Sequence, residues 1–225
     1  MATIRDNQLG YFELPASGDV VFRGRTTGDS SDAWSLTSGG AMTVASLSAT
    51  TPYVAPHHDR PTSAIRASMA RSSGFANVAP LSTGRLYMVA VHHAAGEVVT
   101  AISFLSATTA LSGGTNQWAA LFTSARVQLA VSADDTSTAW GASTVKTFTL
   151  SAPYTITATG LYYYGLNVTA STVPTLAGQS TLAAVTGVAP ILSGYADASL
   201  TNPASCPATA AAITSLNVIA YAWST

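Results

Sequence analysis

"GRLYMVAVHHAAGEVVTAISFLS", residues 84–106, decides the fold. Leu86, Met88 and Ala90 fall on one parity, and Tyr87, Val89 and Val91 on the other. Successive side chains of a strand point to opposite faces, so a strand here is apolar on both. Such a strand sits centrally, with one face against a second sheet and the other expected against a neighbouring subunit.

Six more runs of this texture follow: "NQWAALFTS" (116–124), "RVQLAVSA" (126–133), "VKTFTLS" (145–151), "GLYYYGLNVTA" (160–170), "APILSGYA" (189–196) and "AITSLNVIAYAWS" (212–224). With 84–93 and 96–106 they make eight strand candidates, rich in Val, Ile, Tyr, Phe and Thr and spaced by turn signals as in a sandwich. No long 3.6-residue apolar period interrupts them. The expected fold is all-β, with an eight-stranded jelly-roll-like sandwich over residues 81–225.

Upstream the texture differs. Residues 1–46 hold short strand-like runs, "GYFEL" (10–14), "DVVFRGRT" (19–26), "DAWSLT" (32–37) and "AMTVAS" (41–46), punctuated by "SGD", "TGD" and "SGG" as hairpin turns require. They carry too few large apolar residues to bury a core alone, and an isolated hairpin pair is marginal in water. Residues 47–80 are rich in Pro, Ser and Ala and read as a linker. Within it, "PTSAIRASMARSSG" (61–74) predicts one short helix, capped by Thr62 or Ser63 and ended by Gly74.

Composition narrows the function. Hydrophobic residues make up 48% of the 225, yet only 8% are charged, against roughly a quarter in an ordinary domain. That is too apolar for disorder and suits surfaces easily buried against other subunits. With a net charge of −1 and a single lysine, Lys146, the chain has no basic patch for nucleic acid. No apolar run approaches the ~20 residues that span a bilayer. The start, "MATIRDNQLGYFELP", has charges where a signal peptide needs an apolar stretch, so synthesis without Sec-type export is expected. Cys206, the single cysteine, excludes an internal disulfide.

Catalytic constellations are sparse. "GDS" at Gly28, Asp29 and Ser30 has a hydrolase-like order, but all four histidines, His57, His58, His92 and His93, lie between residues 57 and 93, no G-x-S-x-G elbow occurs, and "TGD" is a turn signature. Adjacent histidines on a strand face opposite ways, and neither C-x-x-C nor H-x-x-x-H spacing is present, so no metal is assigned to them. Glu13 and Glu97 are the only glutamates, too few acids for paired-carboxylate glycoside cleavage. Asp134 and Asp135 in "SADDTST" read as turn residues, with loop oxygens for calcium as the alternative. Neither an enzyme nor a cofactor is expected. Exposed aromatic rings recognise sugars through their apolar faces, and Trp118, Trp140 and Tyr163 are the candidate ligand contacts. Tyr162 and Tyr164 face opposite to Tyr163, and one set belongs to the core.

The pattern "GRLY", "AG.VVT.I.F", "QWAALF..AR..LA.S.D....W" and "TGLYY.GL.V.A", from residue 84 onward, resembles C-terminal β-sandwich domains of tail and fibre proteins from phages of actinobacteria. "FRGRTTGDSSDAWSLTSGGAMT", residues 22–43, is similar to the short strand repeat of phage fibre shafts. The resemblance implies a trimeric virion protein. Residues 1–46 would anchor and trimerise it through Val21, Phe22, Trp34, Leu36 and Met42, and the sandwich would be displayed for adhesion to host glycan. A capsid decoration protein or head fibre is the alternative, and a monomeric carbohydrate-binding module a more distant one.

Overall fold

The computed structural model describes residues 60–73, 76–182 and 187–225 in full, together with the backbone of five strands nearer the N-terminus. The chain divides into two compact units, 1–55 and 56–225.

In the first unit, β1 (Ala2–Asp6), β2 (Gly10–Leu14) and β3 (Val21–Arg23) form one antiparallel sheet, and β4 (Ser35–Leu36) pairs with β5 (Met42–Thr43). Phe12 stands opposite Phe22, and Leu36 opposite Met42. The runs predicted at 10–14, 19–26, 32–37 and 41–46 each contain one strand, and "SGD" and "SGG" lie between paired strands. The strand β1, "ATIRD", lies outside the predicted runs; only Ala2 and Ile4 mark its apolar parity. Trp34 and the side chains of Val21, Phe22, Leu36 and Met42 lie outside the described residues.

The second unit is all-β. Its elements are β6 (Arg66–Ala67), β7 (Ala76–Val78), β8 (Tyr87–His93), β9 (Val98–Leu105), β10 (Ser112–Thr123), β11 (Gln128–Val131), β12 (Val145–Thr155), β13 (Gly160–Thr172), β14 (Leu176–Ser180), β15 (Ser193–Tyr195), β16 (Thr214–Ser215), β17 (Val218–Ala220) and β18 (Ala222–Ser224). Three antiparallel sheets result, ordered β11-β10-β13-β8-β15-β16, β12-β9-β18-β6 and β17-β14-β7. β8 and β9 are joined by a tight turn yet lie in different sheets, as do β12 and β13, which makes the two larger sheets the faces of a sandwich. Ser132 bridges Leu150 where β11 and β12 would otherwise leave two open edges.

The parity of residues 86–91 explains the packing. Tyr87, Val89 and Val91 join Leu121, Tyr164 and Leu166 across from Ile102, Phe104, Phe148 and Leu150 of the second sheet. Leu86 and Met88 face the other way, into a second cluster with Trp118, Phe122 and Tyr163. The expectation that a neighbouring subunit buries this outer face is corrected: Leu200, Ala210 and Ile213, from the chain's own 196–213 loop, close over it. Backbone bonds lace that loop to the sheet, Leu86 N–H to the Asp197 oxygen at 3.0 Å, Leu200 N–H to Gly84 at 2.9 Å and Gln128 N–H to Ala208 at 2.9 Å. Burying these side chains contributes about 1.5–3 kcal/mol each.

Two further expectations are corrected. The described residues 60–73 form no helix where one was expected over 61–74: Ala67 pairs with Trp223 and Arg66 with Ser224, so this stretch is an edge strand between turns. Local helix preference among small residues is weak, and pairing with a distant strand overrides it. The linker expected over 47–80 therefore belongs, from residue 60, to the sandwich, with Ala64 and Val78 buried. The run 212–224, read as one strand, is three short pieces in three different sheets.

Candidate functional site

The three aromatic candidates for ligand contact are core residues. Trp118 is 0% exposed, Trp140 2% and Tyr163 4%. Their polar atoms are also taken: Trp118 Nε1–H donates to the Thr201 oxygen at 2.7 Å, Trp140 Nε1–H to Thr144 at 3.2 Å, and the Tyr163 hydroxyl to Ile191 at 2.8 Å. Trp140 packs edge-on against Phe148, ring centroids 6.0 Å apart. No face of these rings is open to a sugar. The loop at 196–205 covers Trp118, and its irregular sequence gave no sign of doing so.

Asp134 is held as a turn residue. Its Oδ1 accepts the Gln117 and Thr136 N–H groups, both at 2.9 Å, and its Oδ2 accepts Asn116 Nδ2. The bond to Thr136, two residues on, is an Asx turn and holds that β-branched residue at φ 46°. Three donors thus engage its two oxygens within the turn, and Asp135 pairs with Lys146. Among the described residues no group of three or more His, Cys, Asp or Glu is placed to hold a metal. His57, His58, Asp29 and Ser30 lie outside the described residues. Cys206 is half-buried, and burial pushes its thiol up to about 12, which leaves it in the unreactive protonated form.

The structure does bring together one chemical cluster that separate inspection of each motif missed. The tight turn after β8 places Glu97 four residues beyond His93, and its Oε2 lies 2.7 Å from His93 Nδ1. Glu97 Oε1 meets both Nε and Nη2 of Arg66 at 2.7 Å, and the Ala94 N–H donates to Oε2 at 3.1 Å. On the other side, His93 Nε2 lies 2.7 Å from the Tyr164 hydroxyl. Since the carboxylate only accepts, His93 carries its proton on Nδ1 and accepts the Tyr164 O–H at Nε2. Tyr162 stands edge-on to the imidazole with centroids 5.6 Å apart.

Electrostatics keep the imidazole neutral. Burial holds His93 below the ordinary histidine range, with Glu97 opposing and Arg66 and His92 adding to the depression. Burial alone would raise Glu97, but its bonds from Arg66, His93 and the Ala94 N–H outweigh it and hold the carboxyl low. The carboxylate–imidazole–hydroxyl order is that of a nucleophile-activating relay. Here the hydroxyl belongs to fully buried Tyr164, whose phenol is pushed far above its ordinary range by burial, and no substrate has access to it. The cluster instead ties β8, β13 and β6 together across the two large sheets. The signal that could have revealed it was the four-residue spacing of His93 and Glu97 around "AAG", a turn that returns the acid to the histidine.

Comparison with protein-family models, with curated proteins and with solved structures finds no match to this chain.

Proposed function

We propose that the chain is a non-enzymatic structural protein of a tailed-phage virion, a short trimeric fibre, spike or minor tail protein. The first unit docks and trimerises; the sandwich is displayed for host adhesion. One observation carries this division of labour. The sandwich closes its core with its own chain on both faces of its larger sheet, whereas the first unit is built from strands of two to five residues. Strands that short gain stability by packing on something larger, and identical chains supply it at threefold symmetry. Display in several copies raises avidity without requiring a deep ligand pocket.

One finding favours a second reading, a capsid decoration protein or head fibre. Among the described residues the exposed large apolar side chains are all aliphatic: Val98, Val127, Val145, Leu182 and Val188. Aliphatic patches suit contact with protein better than with a pyranose, which prefers an aromatic face.

Light scattering tests the assembly. Full chain is expected near three times 22.9 kDa, and residues 56–225 alone as a soluble monomer. A monomeric full chain, or an unchanged oligomer of 56–225, overturns the role of the first unit. Antibody-labelled electron microscopy of particles then separates tail from capsid, and unlabelled particles overturn the virion assignment.

A further inference from the structure

Residues 60–73 cross β18 as a strap. The Ile65 N–H donates to Ser224 at 2.8 Å and the Ser68 N–H to Ala222 at 2.8 Å, while Ser68 Oγ bonds the Ala220 oxygen at 2.8 Å. Beneath the strap lie Tyr221 and Trp223, ring centroids 5.2 Å apart, closed over by Ala64, Ala67 and Met69. This cover is slight: a two-residue strand at a sheet edge, with two alanines and Met69. Among the described residues, the one long side chain of the strap bonded to a carboxylate is Arg66, and that carboxylate is Glu97, the partner of His93.

We propose that the Arg66–Glu97–His93–Tyr164 chain is an acid-released latch that holds the strap over Tyr221 and Trp223. At neutral pH Glu97 is shared between one cation, Arg66, and the neutral Nδ1–H of His93. A proton taken from solvent lands on His93 Nε2, the one ring nitrogen without one. The new Nε2–H must donate to the Tyr164 oxygen, whose own O–H turns to the neighbouring Ser224 hydroxyl. Imidazolium and guanidinium then share a single carboxylate.

The group that yields is the one free to move. His93 is fully buried at the end of β8 against β13, whereas the Arg66 side chain is 38% exposed on the strap. The ionisable groups around the imidazole are Glu97 from the turn, Arg66 from the strap, His92 from β8, and Tyr162 and Tyr164 from β13. His92, exposed beside it on β8, adds to the depression of the His93 imidazole. Protonation of Glu97 at lower pH removes the remaining hold. Release uncovers two neighbouring aromatic rings, tilted 37° to each other, and the edge of β18, and frees a strap of fourteen residues, up to roughly 45–50 Å at full extension.

The test is fluorine NMR of the full chain labelled with 5-fluorotryptophan. Four tryptophans give four signals, with Trp223 assigned by Trp223→Phe. From pH 8 to pH 5 the solvent-exposed fraction of Trp223 is expected to rise at least tenfold while Trp118 and Trp140 keep their buried shifts. Arg66→Met is expected to show the exposed Trp223 signal already at pH 8, and His93→Gln to delay release into the carboxylate range. A Trp223 signal that moves only together with Trp118 and Trp140 overturns the latch, as does a buried Trp223 at pH 8 in Arg66→Met. If His93→Gln does not fold, Glu97→Gln, which changes a partly exposed side chain, must free Trp223 at pH 8 or the proposal fails.

Discussion

The indole Nε1–H of Trp118 donates to the main-chain oxygen of Thr201 at 2.7 Å, so the largest ring of the outer cluster is tied to the loop that covers it. Trp118→Ala therefore empties a closed site and frees the loop. Its expected cost is about 3–5 kcal/mol, read as a lowered urea midpoint and a Tm fall on the order of 10 °C. Trp118→Phe keeps much of the packing and loses the hydrogen bond, for about 1–2 kcal/mol. A Tm unchanged by Trp118→Ala, with a lost ligand, would return the residue to the surface.

Global stability carries an acid signature. The folded state holds His93 below its unfolded value of 6.5, so the unfolded chain takes up the proton first. Unfolding free energy is at its full value above that pH and falls as pH drops toward the folded pKa. Glu97, held below its unfolded value of 4.5, opens a second window of loss beneath that pH. In urea titrations at stepped pH, His93→Gln is expected to erase the upper window and leave the lower one. Identical pH profiles for the two proteins would contradict the geometry.

Gly165 lies between two large side chains of the outer cluster. A β-carbon there would sit 2.7 Å from Phe122 Cε2 and 3.0 Å from Leu86 Cδ1, both buried and unable to withdraw. Gly165→Ala is expected to destabilise by about 1–3 kcal/mol despite its better strand propensity. Equilibrium denaturation measures it, and a neutral or stabilising result would mean the cluster has slack.

Asp134 makes a complementary case. Asp134→Ala removes the acceptor of two main-chain N–H groups and of the Asn116 amide, at an expected cost of about 1–3 kcal/mol. Calcium at millimolar concentration is expected to leave the Tm of the unaltered chain where it is. A calcium-dependent rise would show that the loop opens to a cation.

Much of this fold was legible, and the failures share a cause. Alternation at 86–91 marks a strand with two apolar faces because the period of two is local. What covers each face is not local: the 196–213 loop is small residues on irregular backbone, without a period to read. The same limit hid the strap, whose pairing with Ala222 and Trp223 lies more than 150 residues away. For Trp118, Trp140 and Tyr163 the sequence supplied residue type and parity, but neither tells a wet face from a dry one. The His93–Glu97 pair needed only a turn to form, and its partners Arg66 and Tyr164 needed the assembled sheets.

The run 212–224 contributes β16, β17 and β18 to three different sheets. Until it pairs, β15, β14 and β9 each lack a neighbour, and the run must find all three. Pairings this distant in sequence are slow, on the millisecond to second scale typical of all-β domains. During that interval the nascent sandwich exposes apolar strand edges able to pair with other chains. Aggregation during synthesis, more than weakness of the finished domain, is therefore the hazard this topology has to manage.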